Sequence, residues 1–220
     1  MPAVGDPGGG TALLHPNLWN GRKIGLLGGS FNPAHAGHRH ISLYSLKALG
    51  LDQVWWLVSP QNPLKPTAGM AALTERISEA RRVANHPRIL VTDLECRLGT
   101  CYTADTLARI RCRFPRTRFI WLMGADNLRQ IPRWRHWERI FATVPVAVLA
   151  RPTYSLRALG GKAAQRFRRC RVKERRARRL ACMKPPAWVF LRNPLHPASA
   201  TEIRARRTMA QTARVPRNGS

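Results

Sequence analysis

Acidic residues are scarce in this chain. Its 220 residues carry 11 Asp and Glu against 38 Lys and Arg, a formal net charge of +27 with histidine neutral. Such an excess points to anionic partners, whether nucleotides, nucleic acid or an acidic surface, without choosing among them. Heavy arginine usage is also a compositional habit of some genomes. Cysteine is sparse and unpatterned: Cys96, Cys101, Cys112, Cys170 and Cys182 form no C-x-x-C pair, and their number is odd. That argues against a disulfide framework or a cysteine zinc site and for ordinary thiols in a reducing compartment. No apolar run approaches the roughly 18 residues of a membrane span. The first 20 residues lack a basic start followed by an apolar stretch, so no secretory signal is expected and the cytoplasm is the expected location. There is no internal repeat and no boundary between two domains. Both common phosphate motifs, G-x-x-x-x-G-K-[ST] and G-x-G-x-x-G, are missing.

What is present begins with a 44% hydrophobic content, enough for a sizeable core. Residues 1 to 20 are rich in Gly and Pro and read as a mobile extension. Residues 21 to 207 read as one domain and 208 to 220 as a frayed tail. Short apolar runs at 23–29, 53–59, 89–94, 118–123, 144–150 and 188–191 read as strands. Helical spacing falls at 37–49, 71–85, 103–113 and 134–141, again over the basic stretch 156–183, and from Ser199 onward. Strands that are apolar throughout, alternating with helices, predict an α/β fold: a Rossmann-like, doubly wound parallel sheet in a single domain. The loops after the strands then gather on one edge, where such sheets bind ligands.

The first of those loops carries the densest chemistry: Gly28-Gly29-Ser30-Phe31-Asn32-Pro33-Ala34-His35-Ala36-Gly37-His38. It joins an apolar strand to a helix start. Glycines let backbone N–H groups approach a phosphate, and a helix N-terminus favours negative charge. One histidine in a turn is ordinarily a satisfied structural partner. Two flanking a glycine at a helix start weigh against that reading. Metal binding is a second alternative, with no third ligand nearby in sequence.

The run Gly-Ser-Phe-Asn-Pro-x-His-x-Gly-His resembles the signature of nucleotidylyltransferases with an H/T-x-G-H motif, and among them bacterial nicotinate-nucleotide adenylyltransferases. Further segments match in the family's order: Pro60 to Lys65, Tyr102 to Leu107, Gly124 to Leu128 through Trp134, Arg151-Pro152, and Ser199 to Arg204. The resemblance implies transfer of the adenylyl group of ATP, with the Mg²⁺ that ATP carries, to nicotinate mononucleotide. The products are deamido-NAD and pyrophosphate. It implies that His35 and His38 contact the ATP phosphates, the latter near the α-phosphate, with Lys65 and Arg204 adding charge. Gly28, Gly29, Ser30, Phe31, Arg151, Ser199 and Thr201 would line the ATP site. Thr103, Asp126 and Trp134 would surround the acceptor nucleotide. No protein metal ligand is implied.

Plainer alternatives stand beside these roles. Lys65 could be a solvated loop lysine, Trp134 core packing, Asp126 a turn former, and Ser199 with Glu202 a helix-capping pair. Three positions depart from the family pattern: Asn32 where Asp is frequent, Leu64 where the loop often has His, and Ala200 where a second serine is usual. Within the superfamily the rival acceptors are nicotinamide mononucleotide and phosphopantetheine. Outside it, a basic RNA-binding protein is the rival prompted by the charge, although aromatics are not interleaved with the basic run.

Overall fold

Among the described residues the near-continuous apolar runs form six of seven parallel strands. A computed structural model describes residues 15–60, 70–151 and 155–196. The strands are β1 (Lys23–Gly29), β2 (Gln53–Val58), β3 (Ile89–Thr92), β4 (Arg118–Gly124), β5 (Val146–Leu149), β6 (Arg171–Val172) and β7 (Trp188–Leu191). They pair in the order β3-β2-β1-β4-β5-β7-β6. The order reverses between β1 and β4, the switch point at which an open α/β sheet leaves a crevice.

Every strand but β6 serves two cores because its side chains alternate between faces. Ile24, Leu26, Trp55, Leu57, Phe119, Trp121 and Met123 pack on one face. Leu27, Val54, Trp56, Val58, Ile120 and Leu122 pack on the other. Among the described residues eight α-helices flank the sheet: α1 (Ala36–Ala48), α2 (Leu73–Ala84), α3 (Leu94–Arg97), α4 (Thr103–Arg113), α5 (Ala125–Gln130), α6 (Trp137–Thr143), α7 (Ser155–Leu159) and α8 (Lys162–Arg166). Ile41 and Leu46 of α1 and Ala80 and Ala84 of α2 cover the second face. Leu107 and Ile110 of α4, Leu128 of α5 and Ile140 of α6 cover the first.

The sheet, its parallel sense and the single α/β domain agree with the sequence reading. Three expectations need correction. The basic stretch 156–183 is not one helical region. Gly160 and Gly161 separate α7 from α8, edge strand β6 pairs Arg171 with Trp188, and Glu174–Cys182 form successive 3-10 turns. Arginine suits helices, so propensity hid a strand that exists only because β7 lies beside it. Second, the expected loop at Asp126 is the first turn of α5, and Trp134 precedes α6 instead of opening it. Third, the end of the expected extension 1–20 is structured: Pro16–Trp19 form a 3-10 turn, and the Trp19 ring meets Trp55 edge-on at 5.1 Å, while residues 1–14 lie outside the described residues. The expected tail and the helix from Ser199 lie outside the described residues.

Candidate active site

β1 delivers its loop to the switch point, and α1 leaves from it. At that helix start the two histidines cap each other. Gly37 N–H donates to His35 Nδ1 at 3.2 Å, and His35 N–H donates to His38 Nδ1 at 3.2 Å. Both Nδ1 atoms are therefore acceptors, so each neutral ring carries its proton on Nε2. The rings lie 3.8 Å apart, centroid to centroid. His35 is buried, and its pKa is lowered to about 4, first by burial, then by the charges of Arg151 and His196. It is neutral at physiological pH and offers a hydrogen bond without a charge.

The preceding residues brace this pair. Phe31 adopts φ 46°, a left-handed backbone costly for a bulky side chain. Its ring is stacked 5.0 Å from Trp56 and lies 4.8 Å from His38. Trp56 Nε1 donates to Ser42 Oγ, which donates to the His38 carbonyl, each at 2.8 Å. The α1 start is thus fastened to β2. Gly28 is required by packing: a Cβ there would stand 2.4 Å from Trp121 Cη2.

The ends of β4 and β5 form the opposite wall. Asp126 Oδ1 and Arg151 Nε lie 3.6 Å apart. Gly124 makes that pair possible, since a Cβ would stand 2.3 Å from the Asp126 oxygen and 2.9 Å from the arginine nitrogen. Because Arg151 also acts on the His35 ring, the structure brings His35, Asp126 and Arg151 into one electrostatic neighbourhood. Thr103 opens α4. The preceding residue, Tyr102, has the Arg135 guanidinium 4.8 Å from its ring centre, which joins the start of α4 to the segment before α6. Trp134 itself is partly buried against the core. Lys65, Ser199, Thr201 and Arg204 lie outside the described residues, as do Leu64 and Ala200.

Sequence reasoning missed several residues here. His40 Nε2 lies 2.8 Å from the Pro194 carbonyl, and its ring is 5.4 Å from His196, tying α1 to the segment after β7. Glu95 in α3 is buried at 4% exposure, its carboxyl pushed up to about 7 by burial against hydrogen bonds from Ser59 and Thr106. Arg76 is buried between loops. No local motif marks any of these, since each acts through partners distant in sequence. Among the described residues, no group of three or more His, Cys, Asp or Glu could hold a metal ion. Among them, too, no helix is long and apolar enough to cross a membrane.

A helix N-terminus, two Nε2–H donors and an arginine at the crevice of a doubly wound sheet define a nucleotide-handling protein of the Rossmann-like class. Residues 26–206 match the model of the cytidylyltransferase-like family. A Cereibacter sphaeroides protein named "Probable nicotinate-nucleotide adenylyltransferase" is 57% identical over 182 residues, 83% of this chain and 96% of that protein. A Parvibaculum lavamentivorans protein of the same name is 54% identical over 194 residues, covering 88% and 94% respectively. The solved Plasmodium falciparum nicotinic acid mononucleotide adenylyltransferase complexed with NaAD shares the fold at TM-score 0.61 and 17% identity, over 84% of this chain and 83% of that one. The chain belongs to the cytidylyltransferase-like family and, within it, to the nicotinate-nucleotide adenylyltransferases.

Proposed function

We infer that the chain transfers the adenylyl group of ATP to the phosphate of nicotinate mononucleotide, forming deamido-NAD and pyrophosphate in NAD biosynthesis. The observation that carries this is the 57% identity spanning nearly the whole of a relative bearing that name. A phosphate oxygen of the acceptor attacks the α-phosphorus of ATP. The new P–O bond forms as the bond from that phosphorus to the α,β-bridging oxygen breaks, and the electron pair leaves with pyrophosphate. The attacking oxygen is already anionic, so no general base is needed. Catalysis is positioning plus stabilisation of charge as it moves onto the leaving group.

His38 and His35 supply Nε2–H donors to the ATP phosphates at the start of α1, and Arg151 supplies charge. Backbone groups of Gly28, Gly29, Ser30 and Phe31 line the nucleotide site. Lys65, Ser199, Thr201 and Arg204 are assigned to the triphosphate by resemblance alone. Thr103, Asp126 and Trp134 are assigned to the acceptor side by resemblance, a reading supported for Asp126 by its place directly after β4 and its approach to Arg151. Mg²⁺ enters as the counter-ion of ATP. With these substrates the reaction belongs in the cytoplasm.

The test is release of pyrophosphate by the purified protein from ATP, Mg²⁺ and nicotinate mononucleotide, with nicotinamide mononucleotide and phosphopantetheine as rival acceptors. Preferred turnover of nicotinate mononucleotide is expected. Turnover on phosphopantetheine alone, or salt-sensitive RNA binding without adenylyl transfer, would overturn the reading.

A further inference from the structure

Arg76 sits in the first turns of α2 and retains only 2% of its surface exposure. All its side-chain hydrogen bonds go to backbone carbonyls. Nε donates to Ala71 at 2.9 Å, Nη1 to Ser30 and Ser59 at 2.7 Å each, and Nη2 to Pro60 at 3.0 Å. Three chain segments meet on this one guanidinium: the loop after β1, the end of β2, and the approach to α2. No carboxylate pairs with it among the described residues. Burying a cation is costly unless dipoles or counter-charges surround it. Here carbonyl dipoles alone do so, directly behind the loop assigned to phosphate.

The orientation of one peptide follows from this contact. The Ser30–Phe31 bond is trans. In a planar trans peptide the C=O and the following N–H point in opposite directions. Holding the Ser30 oxygen on Arg76 therefore turns the Phe31 N–H away from α2. No carbonyl among the described residues accepts that N–H. The same peptide leads into the strained φ of Phe31, which sets the ring against His38. The neighbouring Gly29 carbonyl is held separately by Ser59 N–H at 2.9 Å, so Arg76 controls the peptide just beyond the sheet.

We propose that Arg76 is a positioning residue for adenylyl transfer: through the Ser30 carbonyl it fixes the Phe31 N–H as a phosphate donor and sets the approach of His38. Its buried charge also raises the affinity of the loop for the anionic triphosphate. A neutral or shorter donor cannot span the three segments, since only the arginine fork donates in several fixed directions. The proposal rests on the adenylyl-transfer reading for its chemistry, but its ATP-binding arm stands apart from the choice of acceptor.

The test uses the full chain with Arg76→Lys and Arg76→Gln. Both variants should melt cooperatively, with KM for ATP raised several-fold and kcat lowered about 10-fold or more, as for a misplaced transition-state donor. KM for nicotinate mononucleotide should change less than about two-fold, because positioning acts on the ATP side. A lowered melting temperature with ATP kinetics unchanged would reduce Arg76 to structural support and overturn the proposal. Should neither variant fold, the wild-type protein decides. The ¹⁵N-labelled Phe31 amide should shift and exchange more slowly on addition of a non-hydrolysable Mg-ATP analogue, and an unresponsive amide would overturn it. ATP-analogue binding without turnover of nicotinate mononucleotide would sink the acceptor assignment while leaving this result intact.

Discussion

At the scale of single residues, the reciprocal histidine cap converts two side chains into oriented donors. Removing one transition-state donor typically costs on the order of 10²-fold in kcat. We expect that loss for His38→Ala, measured as pyrophosphate release at saturating substrates; an unchanged kcat would remove His38 from the chemistry. Two buried groups near the site titrate in opposite directions. His35, lowered to about 4, contributes stability that is full above its unfolded value of 6.5 and is lost as pH falls toward 4. Glu95, raised from 4.5 to about 7, prefers its protonated form when folded. Its contribution is full below 4.5 and is lost as pH rises through 7. Glu95→Gln, which stays neutral, should therefore melt higher than wild type at pH 8, and that advantage should vanish near pH 4.5. A constant difference between the two melting curves across this window would refute the assignment.

At the scale of elements, β1 and β4 meet at the switch point through Gly28 and Trp121. A Cβ at Gly28 collides with the indole. Gly28→Ala should cost ~1–3 kcal/mol, the usual range for overpacking a core. Trp121→Phe removes the colliding atom, so the double variant should be less unstable than the sum of the two singles. Additive losses in denaturant unfolding would show that the contact does not govern β1 packing. The basic stretch after β5 teaches a different lesson. Its arginines have helical propensity, yet Ala177 and Leu180 are buried on the sheet and β6 is an edge strand. Tertiary contacts chose the conformation of this stretch over local preference. Conversely, β1 and α4 were legible to the residue, because each has a strong pattern and a clear stop.

At the scale of the whole molecule, the charge of +27 bears on encounter more than on fold. Attraction between a cationic protein and Mg-ATP is screened by salt. Raising ionic strength should lower kcat/KM for ATP several-fold, with kcat changing much less. A salt-independent kcat/KM would show that the excess charge plays no part in substrate capture. The arrangement also explains why the site lies on one edge: every strand runs in the same direction, so the loops after β1, β4 and β5 reach the same crevice.

The sequence by itself determined the α/β class, six of the seven strands and a phosphate-handling first loop, and its resemblance to a known family implied the reaction type. Those depend on local patterns: apolar runs, helix stops, and a glycine-histidine loop whose residue types suit phosphate. It also marked Asp126 and Arg151, though not as a pair. Only the tertiary structure decided that they lie 3.6 Å apart across Gly124, that His35 is buried and neutral, and that Trp19 packs against the core. It alone brought Arg76 under the Ser30 carbonyl, 46 positions away. Burial and long-range hydrogen bonds depend on which strands become neighbours, and no window of sequence contains that information.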